Sequence, residues 1–337
     1  MKKDVHIEFI ATDIDSLALM GFGSIENCKS VFNCLSKEYS YVNFNIVRNE
    51  GDLENIASRK PDLIFTGIKY VVFDKIKKHK IWISDFMEKA NINYTGSGKE
   101  AILLEYDKSL AKKTISNFGI KTAPYFISNS SLTKNNLPIP FPLFVKPLHE
   151  GDGNGIDKDS VVYDFKSYQK KVDSIYKLYN QPSMVEKYII GREFTVSIIE
   201  SDNGTFNIMP VELIIPDKNP LNRILGYSAK SENKESVVKI TNNDILKHIT
   251  FIAKNSFIAL GARDYGRIDI LMDKDNNPYF LEANLVPGMT KRFKQDDSSY
   301  FPRACYLNNN MTYHETIIKI TETALERNQN LKIRKSS

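Results

Sequence analysis

Cysteine and histidine are scarce in this sequence, with three and five among 337 residues. The three cysteines, Cys28, Cys34 and Cys305, are odd in number and lack metal-ligand spacing, which argues against a disulfide framework or a zinc site. The histidines form neither an HxxxH nor an HExxH pattern. A reducing compartment, the cytoplasm, is therefore the expected location.

Long hydrophobic runs and a large charge excess are also missing. No apolar run approaches the ~20 residues of a membrane span, and Asp4, His6 and Glu8 interrupt any signal-peptide core. The net charge of +5, from 46 basic and 41 acidic residues, is too small to argue for nucleic acid but suits an anionic small molecule. The expected partners are therefore small molecules, with neither nucleic acid nor a membrane.

Strands alternate with helices over the first 95 residues, a pattern typical of a parallel α/β domain. The rest of the chain mixes the two differently. A turn at residue 94 leads into one long predicted helix that ends near Gly119, and two predicted hairpins span 192–214 and 265–288. The sequence therefore predicts an α/β fold with more than one domain.

A glycine-rich stretch follows one predicted strand: FVKPLHEGDGNGI, residues 144–156. Glycines at 151, 153 and 155 would let backbone N–H groups approach a phosphate chain, and Lys146 would add a cation. The spacing matches neither the Walker nor the Rossmann pattern. A glycine-rich hairpin turn without a ligand is the alternative.

The second hairpin, GRIDILMDKDNNPYFLEANLVPG, carries oxygen donors on both strands. Glu282 and Asn284 are two residues apart and so share a face, and folding the hairpin would bring Asp269 to them. Such a set suits Mg²⁺, which prefers a few protein oxygens plus nucleotide phosphates. A solvated polar face is the alternative, but an unpaired carboxylate would be costly to bury in the run YFLEANLV.

A third stretch, VEKYIIGRE at 185–193, places charged side chains at the end of a strand, where they could contact adenine and ribose or form an ordinary charged strand end. The order of these three stretches resembles the ATP-grasp superfamily, and most closely its D-alanine:D-alanine ligases and related carboxylate–amine ligases. YTGSGKEAILLEYDKSLAKKTI, EKYIIGREFTV, GRIDI and LEANLVPGMT are similar to that family's motifs in order and spacing. The resemblance covers roughly residues 92–305.

The resemblance implies a fold, a cofactor set and a role for each matching residue. An N-terminal α/β domain (1–95) would precede two ATP-grasp subdomains (96–190 and 191–330), and 331–337 would be a frayed tail. ATP would be the nucleotide, with two Mg²⁺ ions for which Mn²⁺ could substitute, and the chain would form a homodimer. The implied nucleotide-binding residues are Lys108, Lys146, Glu150, Gly151, Gly153, Gly155, Glu186, Lys187, Ile189 and Glu193. Asp269, Glu282 and Asn284 would hold the metal, while Arg267, Lys230 and Gly288 would act in catalysis.

The implied reaction is ATP-dependent formation of a peptide or amide bond through an acyl phosphate. Segment 216–236 is the candidate lid over this site. Several positions depart from the D-alanine:D-alanine ligases: no glutamate follows the first strand in ATDIDSLALMGFGS, and KRFKQDD follows PGMT. These departures predict substrates other than D-alanine, with Lys291 and Arg292 as possible ligands of an anionic group. A divergent D-alanine:D-alanine ligase and a non-catalytic nucleotide sensor are the alternatives.

Overall fold

A computed structural model describes residues 2–12, 21–74, 79–129, 137–151, 153–201, 204–214, 235–292 and 298–336. Its strands are β1 Lys3–Ala11, β2 Tyr39–Ile46, β3 Leu63–Thr66, β4 Tyr70–Asp74, β5 His79–Trp82, β6 Tyr125–Ser128, β7 Leu143–Pro147, β8 Val161–Val162, β9 Ser183–Lys187, β10 Gly191–Glu200, β11 Phe206–Ile214, β12 Ser236–Lys239, β13 Tyr265–Asp273 and β14 Pro278–Asn284. Its helices are α1 Ile25–Glu38, α2 Glu50–Ser58, α3 Ile83–Lys89, α4 Lys99–Tyr106, α5 Lys108–Asn117, α6 Phe165–Tyr179, α7 Asn243–Ala259, α8 Tyr300–Asn309 and α9 Tyr313–Ser336.

The N-terminal part is the parallel α/β unit that the alternating pattern predicts. Strand β1 lies between β2 and β3 and pairs in parallel with both. Ile7 and Phe9 of β1 are fully buried, as apolar residues of a sheet covered by helices should be. Ser24 caps α1, because its side chain accepts a hydrogen bond from the backbone N–H of Asn27.

Two antiparallel sheets follow, and they have separate hydrophobic cores. The four-stranded sheet, in the order β6-β9-β7-β8, packs with α6 around a small cluster that includes Leu143, Val172 and Val185. The five-stranded sheet, in the order β12-β11-β10-β13-β14, shares one large core with the N-terminal unit. Because the two sheets share no continuous apolar core, polar groups can be accommodated between them.

The long helix predicted after residue 94 is in fact two helices, so that prediction is wrong. Asp107 ends α4 and begins α5, and its side chain accepts hydrogen bonds from the backbone N–H groups of Ser109 (2.9 Å) and Leu110 (3.1 Å). An aspartate in this capping position favours a new helix start over continuation of the old helix. The break makes Lys108 the first residue of α5.

The hairpin of β13 and β14 contains a bulge. Asp269 pairs with Glu282, but Ile270 pairs with Phe280, so Leu281 is an extra residue on β14. Bulges of this kind re-aim neighbouring side chains, and this one lies directly beside Glu282. At the other end of the chain α9 continues to Ser336, where the sequence predicts a frayed tail.

Candidate active site

A cleft of about 970 Å³, counted with its open mouth, lies among β7, β9, β14, the start of α5 and the glycine-rich loop. Most of the predicted nucleotide-binding residues line it: Lys108, Lys146, Glu150, Gly151, Gly153, Glu186, Lys187, Ile189 and Glu193. Apolar side chains, among them Phe144, Ile156 and Leu271, form its remaining walls. A polar end joined to an apolar slot suits a ligand with a phosphate chain and a flat ring.

Three buried lysines and one buried glutamate form the polar end of this cleft. Nζ of Lys112 lies 2.7 Å from Oε1 of Glu186, and Nζ of Lys146 lies 2.6 Å from Oε2 of the same carboxylate. Lys108 donates to the backbone carbonyl oxygens of Leu148, at 3.5 Å, and Glu150. All four charged side chains are at most 9% exposed. These four side chains carry three positive charges against one negative charge, while the cleft as a whole is lined by four lysines and four glutamates. The positive charge is therefore concentrated locally, around Glu186, where an anionic group could meet Lys108 and Lys146.

The surroundings of Glu186 and Lys108 shift the pKa values of both side chains. Burial alone would raise the pKa of Glu186, but Lys112 and Lys146 outweigh it and lower that pKa to about 2. Burial also lowers the pKa of Lys108, to about 8, with Lys146 acting in the same direction and Glu282 opposing. Glu186 is therefore ionised throughout the physiological range, while Lys108 titrates just above it.

Glycine is required at two of the three positions of the loop. Gly153 and Gly155 have φ of +79° and +73°, in the region that side chains disfavour. A Cβ on Gly155 would also lie 2.5 Å from Cγ of Pro147. A Cβ on Gly151 would meet nothing within 4 Å, so Gly151 is not required by backbone geometry. Gly155 is not among the residues that line the cleft, although Asn154 and Ile156 on either side of it are.

The predicted metal residues come together on the β13–β14 hairpin. Asp269 pairs with Glu282 across the two strands, and Arg267 pairs with Asn284. The Asp269 carboxylate accepts from both Nε (3.0 Å) and Nη2 (2.9 Å) of Arg267, from Nδ2 of Asn284 (3.1 Å) and from Oγ1 of Thr195 (2.5 Å). Within the described residues no cluster of three or more His, Cys, Asp or Glu side chains could hold a metal. The predicted set differs from such a cluster, because it has two carboxylates and an amide.

A second cleft, of about 700 Å³, adjoins the first and shares Lys108, Glu150, Gly151 and Glu282 with it. Its other lining residues come from three parts of the chain: Gly21, Lys69, Tyr70, Glu105, Tyr106, His149, Ala283, Asn284, Val286 and Gly288. The rings of Tyr106 and His149 stack in this wall, with centroids 4.8 Å apart and planes within 8°. The four shared residues therefore connect the larger cleft to a smaller and more polar one.

Some predicted residues lie elsewhere. Arg267 and Asp269 are buried beside Glu282 and line neither cleft. Lys291, whose Nζ lies 5.7 Å from the ring centroid of Tyr313, and Arg292 are exposed and also line neither cleft, and their role in binding an anionic substrate group stays a prediction. Lys230 and nearly all of the candidate lid lie outside the described residues.

Lys112 is a site residue that the sequence analysis missed. It follows Lys108 by four residues on α5, so the two side chains share one helix face. That spacing was the available signal, but a lysine pair on a helix is usually solvent-exposed. Only the structure shows that Lys112 is fully buried against Glu186.

The sequence model of the family described as "D-ala D-ala ligase C-terminus" matches residues 115–322, more than half of the chain. The chain belongs to the D-alanine–D-alanine ligase family. Among its relatives, the D-alanine–D-alanine ligase of Bordetella petrii is 28% identical over 243 residues, which are 71% of this chain and 70% of that protein. The Acinetobacter baumannii enzyme of the same name is 29% identical over 72% of this chain and 75% of its own length.

The fold comparison agrees with this membership. The crystal structure of D-alanine–D-alanine ligase from Bacillus anthracis complexed with ATP superposes with a TM-score of 0.72 and covers 97% of this chain and 99% of its own. At 20% identity this match establishes the fold alone. The predicted α/β ATP-grasp fold is confirmed, and so is the prediction that this D-alanine–D-alanine ligase family member is an ATP-dependent carbon–nitrogen ligase. No helix in the described ranges is long and apolar enough to cross a membrane.

Proposed function

We propose that this protein joins two molecules of D-alanine into a dipeptide, with ATP converted to ADP and phosphate. The observation that carries the proposal is the pair of adjoining clefts, because Lys108 and Glu282 line both. A triphosphate in the first cleft would thus end where the second begins. The curated relatives that match the chain are named D-alanine–D-alanine ligases, which favours D-alanine over the different substrates that the sequence departures predict.

The lysines around Glu186 would bind the nucleotide phosphates. Lys108 and Lys146 would face the phosphate chain, and Glu186 would hold Lys146 in place at that polar end. Lys187 and Ile189 would line the adenine end. Gly151 and Gly153 would bring the loop backbone over the phosphates. Lys230 and a homodimeric assembly remain predictions from the family resemblance.

The chemistry would proceed in two steps. A carboxylate oxygen of the first D-alanine attacks the terminal phosphorus, the bond to the bridging oxygen breaks, and ADP leaves an acyl phosphate. The amine of the second D-alanine then attacks the carbonyl carbon, loses a proton and expels phosphate. Arg267 and the backbone N–H of Gly288 would stabilise the oxyanion that forms in this second step.

The donors on the β13–β14 hairpin fit Mg²⁺. Asp269, Glu282 and Asn284 supply hard oxygens on one face of the hairpin. Asn284 donates to Asp269 through its amide nitrogen, so its amide oxygen is not used in that contact. Each oxygen of Asp269 already accepts two hydrogen bonds, from Arg267 and Thr195 or from Arg267 and Asn284, so a cation would have to displace one of these donors. When bound, Mg²⁺ would neutralise part of the phosphate charge.

A coupled assay tests the proposal. ATP, Mg²⁺ and D-alanine should give ADP and D-alanyl-D-alanine in equal amounts, and each product should depend on all three reactants. The same assay with L-alanine and other amino acids tests the substrate class. ADP release with another amino acid but none with D-alanine would contradict the proposed substrate and retain the ligase chemistry.

Nucleotide affinity should fall as the pH rises through about 8. The pKa of Lys108 in the free protein is about 8, so above that pH its neutral amine must take up a proton before it can pair with the phosphates. The dissociation constant of ADP should therefore rise by up to about tenfold per pH unit above 8. Calorimetric titrations between pH 7 and 9.5 measure it.

Two variants serve as controls for this pH dependence. Lys108→Met should weaken ADP binding and make the dissociation constant nearly independent of pH. Lys113→Met, at an exposed position of the same helix, should keep the pH dependence of the wild type. A wild-type affinity that stays constant up to pH 9.5 would contradict the assignment of Lys108 to the phosphates.

A further inference from the structure

An ion pair between Lys69 and Glu105 lies in the wall of the second cleft. Nζ of Lys69 is 2.5 Å from Oε1 of Glu105. Lys69 immediately precedes β4, and Glu105 lies in the last turn of α4. The Glu105 side chain is only 5% exposed, and the Lys69 side chain is 25% exposed. The carboxylate is thus fixed from one side by a lysine.

The other oxygen of this carboxylate has no hydrogen-bond partner. Oε2 of Glu105 is buried, and no donor among the described residues bonds to it. Leaving a buried acceptor unsatisfied costs about 1–3 kcal/mol. An oxygen in this state, on a residue that lines a cleft, suits a donor that a ligand brings with it.

The other carboxylates that line the second cleft are already committed. Oε1 of Glu150 accepts a hydrogen bond from Nε2 of Gln181 at 2.9 Å. Glu282 lies opposite Asp269 on the hairpin assigned to the metal. Glu105 lies on a different element, α4, away from that hairpin in sequence, and it brings a negative charge to the cleft that neither of those roles uses.

We propose that Glu105 binds the α-ammonium group of the amino acid whose carboxylate becomes phosphorylated, with Lys69 holding the carboxylate of Glu105 in position. The inference rests on the proposed function. In such a substrate one carbon separates the ammonium group from the reacting carboxylate. The carboxylate must approach the end of the cleft shared with the nucleotide, so the ammonium needs an acceptor nearby in the second cleft. A charge-assisted hydrogen bond to Oε2 supplies it.

Hydroxylamine as the amine isolates the first substrate, because it traps an acyl phosphate as a hydroxamate. In this assay the acid is varied: D-alanine, and propionate, which lacks only the ammonium group. Glu105→Gln should lower kcat/KM for D-alanine by about 10- to 100-fold and change that for propionate by less than threefold. Glu100→Gln, at an exposed position of the same helix, is the matched control and should change neither.

The ratio of kcat/KM for D-alanine to kcat/KM for propionate, taken within one variant, does not depend on how much of the protein is folded. Glu105→Asp, with a shorter carboxylate, should lower the ratio less than Glu105→Gln. A purely structural role is the competing explanation, since the charge of Glu105 also acts on the buried Tyr265. That role would lower the melting temperature of Glu105→Gln and leave the ratio unchanged.

The two proposals fail differently. An unchanged ratio in Glu105→Gln, or a wild type that activates propionate as well as D-alanine, overturns the assignment of Glu105 and leaves the ligase proposal intact. A wild type that binds ADP but activates no amino acid overturns both proposals.

Discussion

Replacing Arg267 by methionine should lower kcat for dipeptide formation by about 10²- to 10³-fold, which is the range for losing one preorganised donor to an oxyanion. Arg267 is buried, its guanidinium is held by both oxygens of Asp269, and it lies 5.4 Å from the ring centroid of Tyr300. Burial works against its charge, but Asp269 raises the pKa of Arg267 further above its usual range, so the group is always positive. Steady-state kinetics with saturating ATP measure the loss.

The matched variant is Arg267→Lys, which keeps the charge but not the two-pronged contact with Asp269. We expect it to retain more activity than Arg267→Met, with the affinity for ADP within a few-fold of wild type in both. Breaking the buried pair of Arg267 and Asp269 also costs about 3–5 kcal/mol of stability. The folded fraction of each variant is therefore measured by circular dichroism, and kcat is calculated per folded molecule. A kcat for Arg267→Met within fivefold of wild type would contradict a catalytic role.

Replacing Glu186 by glutamine should destabilise the protein by about 3–5 kcal/mol, because Lys112 and Lys146 would keep buried charges without a counter-ion. Urea unfolding at pH 7 measures this loss. The double variant Lys112→Met with Glu186→Gln removes one of the two stranded charges and should regain part of the stability. Equal stabilities of wild type and Glu186→Gln would show that the three groups are not an ion-pair network.

The pH dependence of this loss has a definite sign. The pKa of Glu186 is about 2 in the folded protein against a usual 4.5. Its stabilising contribution is therefore fully present above about pH 4.5 and is lost as the pH falls from 4.5 toward 2. The stability difference between wild type and Glu186→Gln should shrink across that window. A difference that stays constant down to pH 3 would contradict the assignment.

The sequence predicted those parts of the site that lie on one element or in one hairpin. Lys146 and the glycines are contiguous with a recognisable strand, and the pairing of Asp269 with Glu282 follows from folding a single hairpin. Their local patterns carry the chemistry, because phosphate binding and metal binding each impose a residue type at a fixed spacing. The parallel N-terminal sheet was predictable because strands and helices alternate along that part of the chain.

Other features depend on contacts between distant segments, which a sequence pattern does not encode. Asp107 splits the predicted helix because its side chain competes for backbone donors, and Asp107 is an ordinary helix residue by pattern alone. Lys112 and Glu186 are 74 positions apart in the chain and meet only through folding. The second cleft joins Lys69, which falls in no motif that the sequence analysis recognised, to Glu105, which lies within the recognised stretch 94–115 but received no role there.

The most direct test of the account follows an oxygen atom. D-Alanine labelled with ¹⁸O in both carboxylate positions is incubated with the enzyme, ATP and Mg²⁺, and the inorganic phosphate is analysed by mass spectrometry. If the carboxylate attacks the terminal phosphorus, each phosphate released should carry one ¹⁸O from the amino acid. Phosphate without the label, formed at the same rate as ADP, would show that the nucleotide is hydrolysed by water and that no carboxylate is activated.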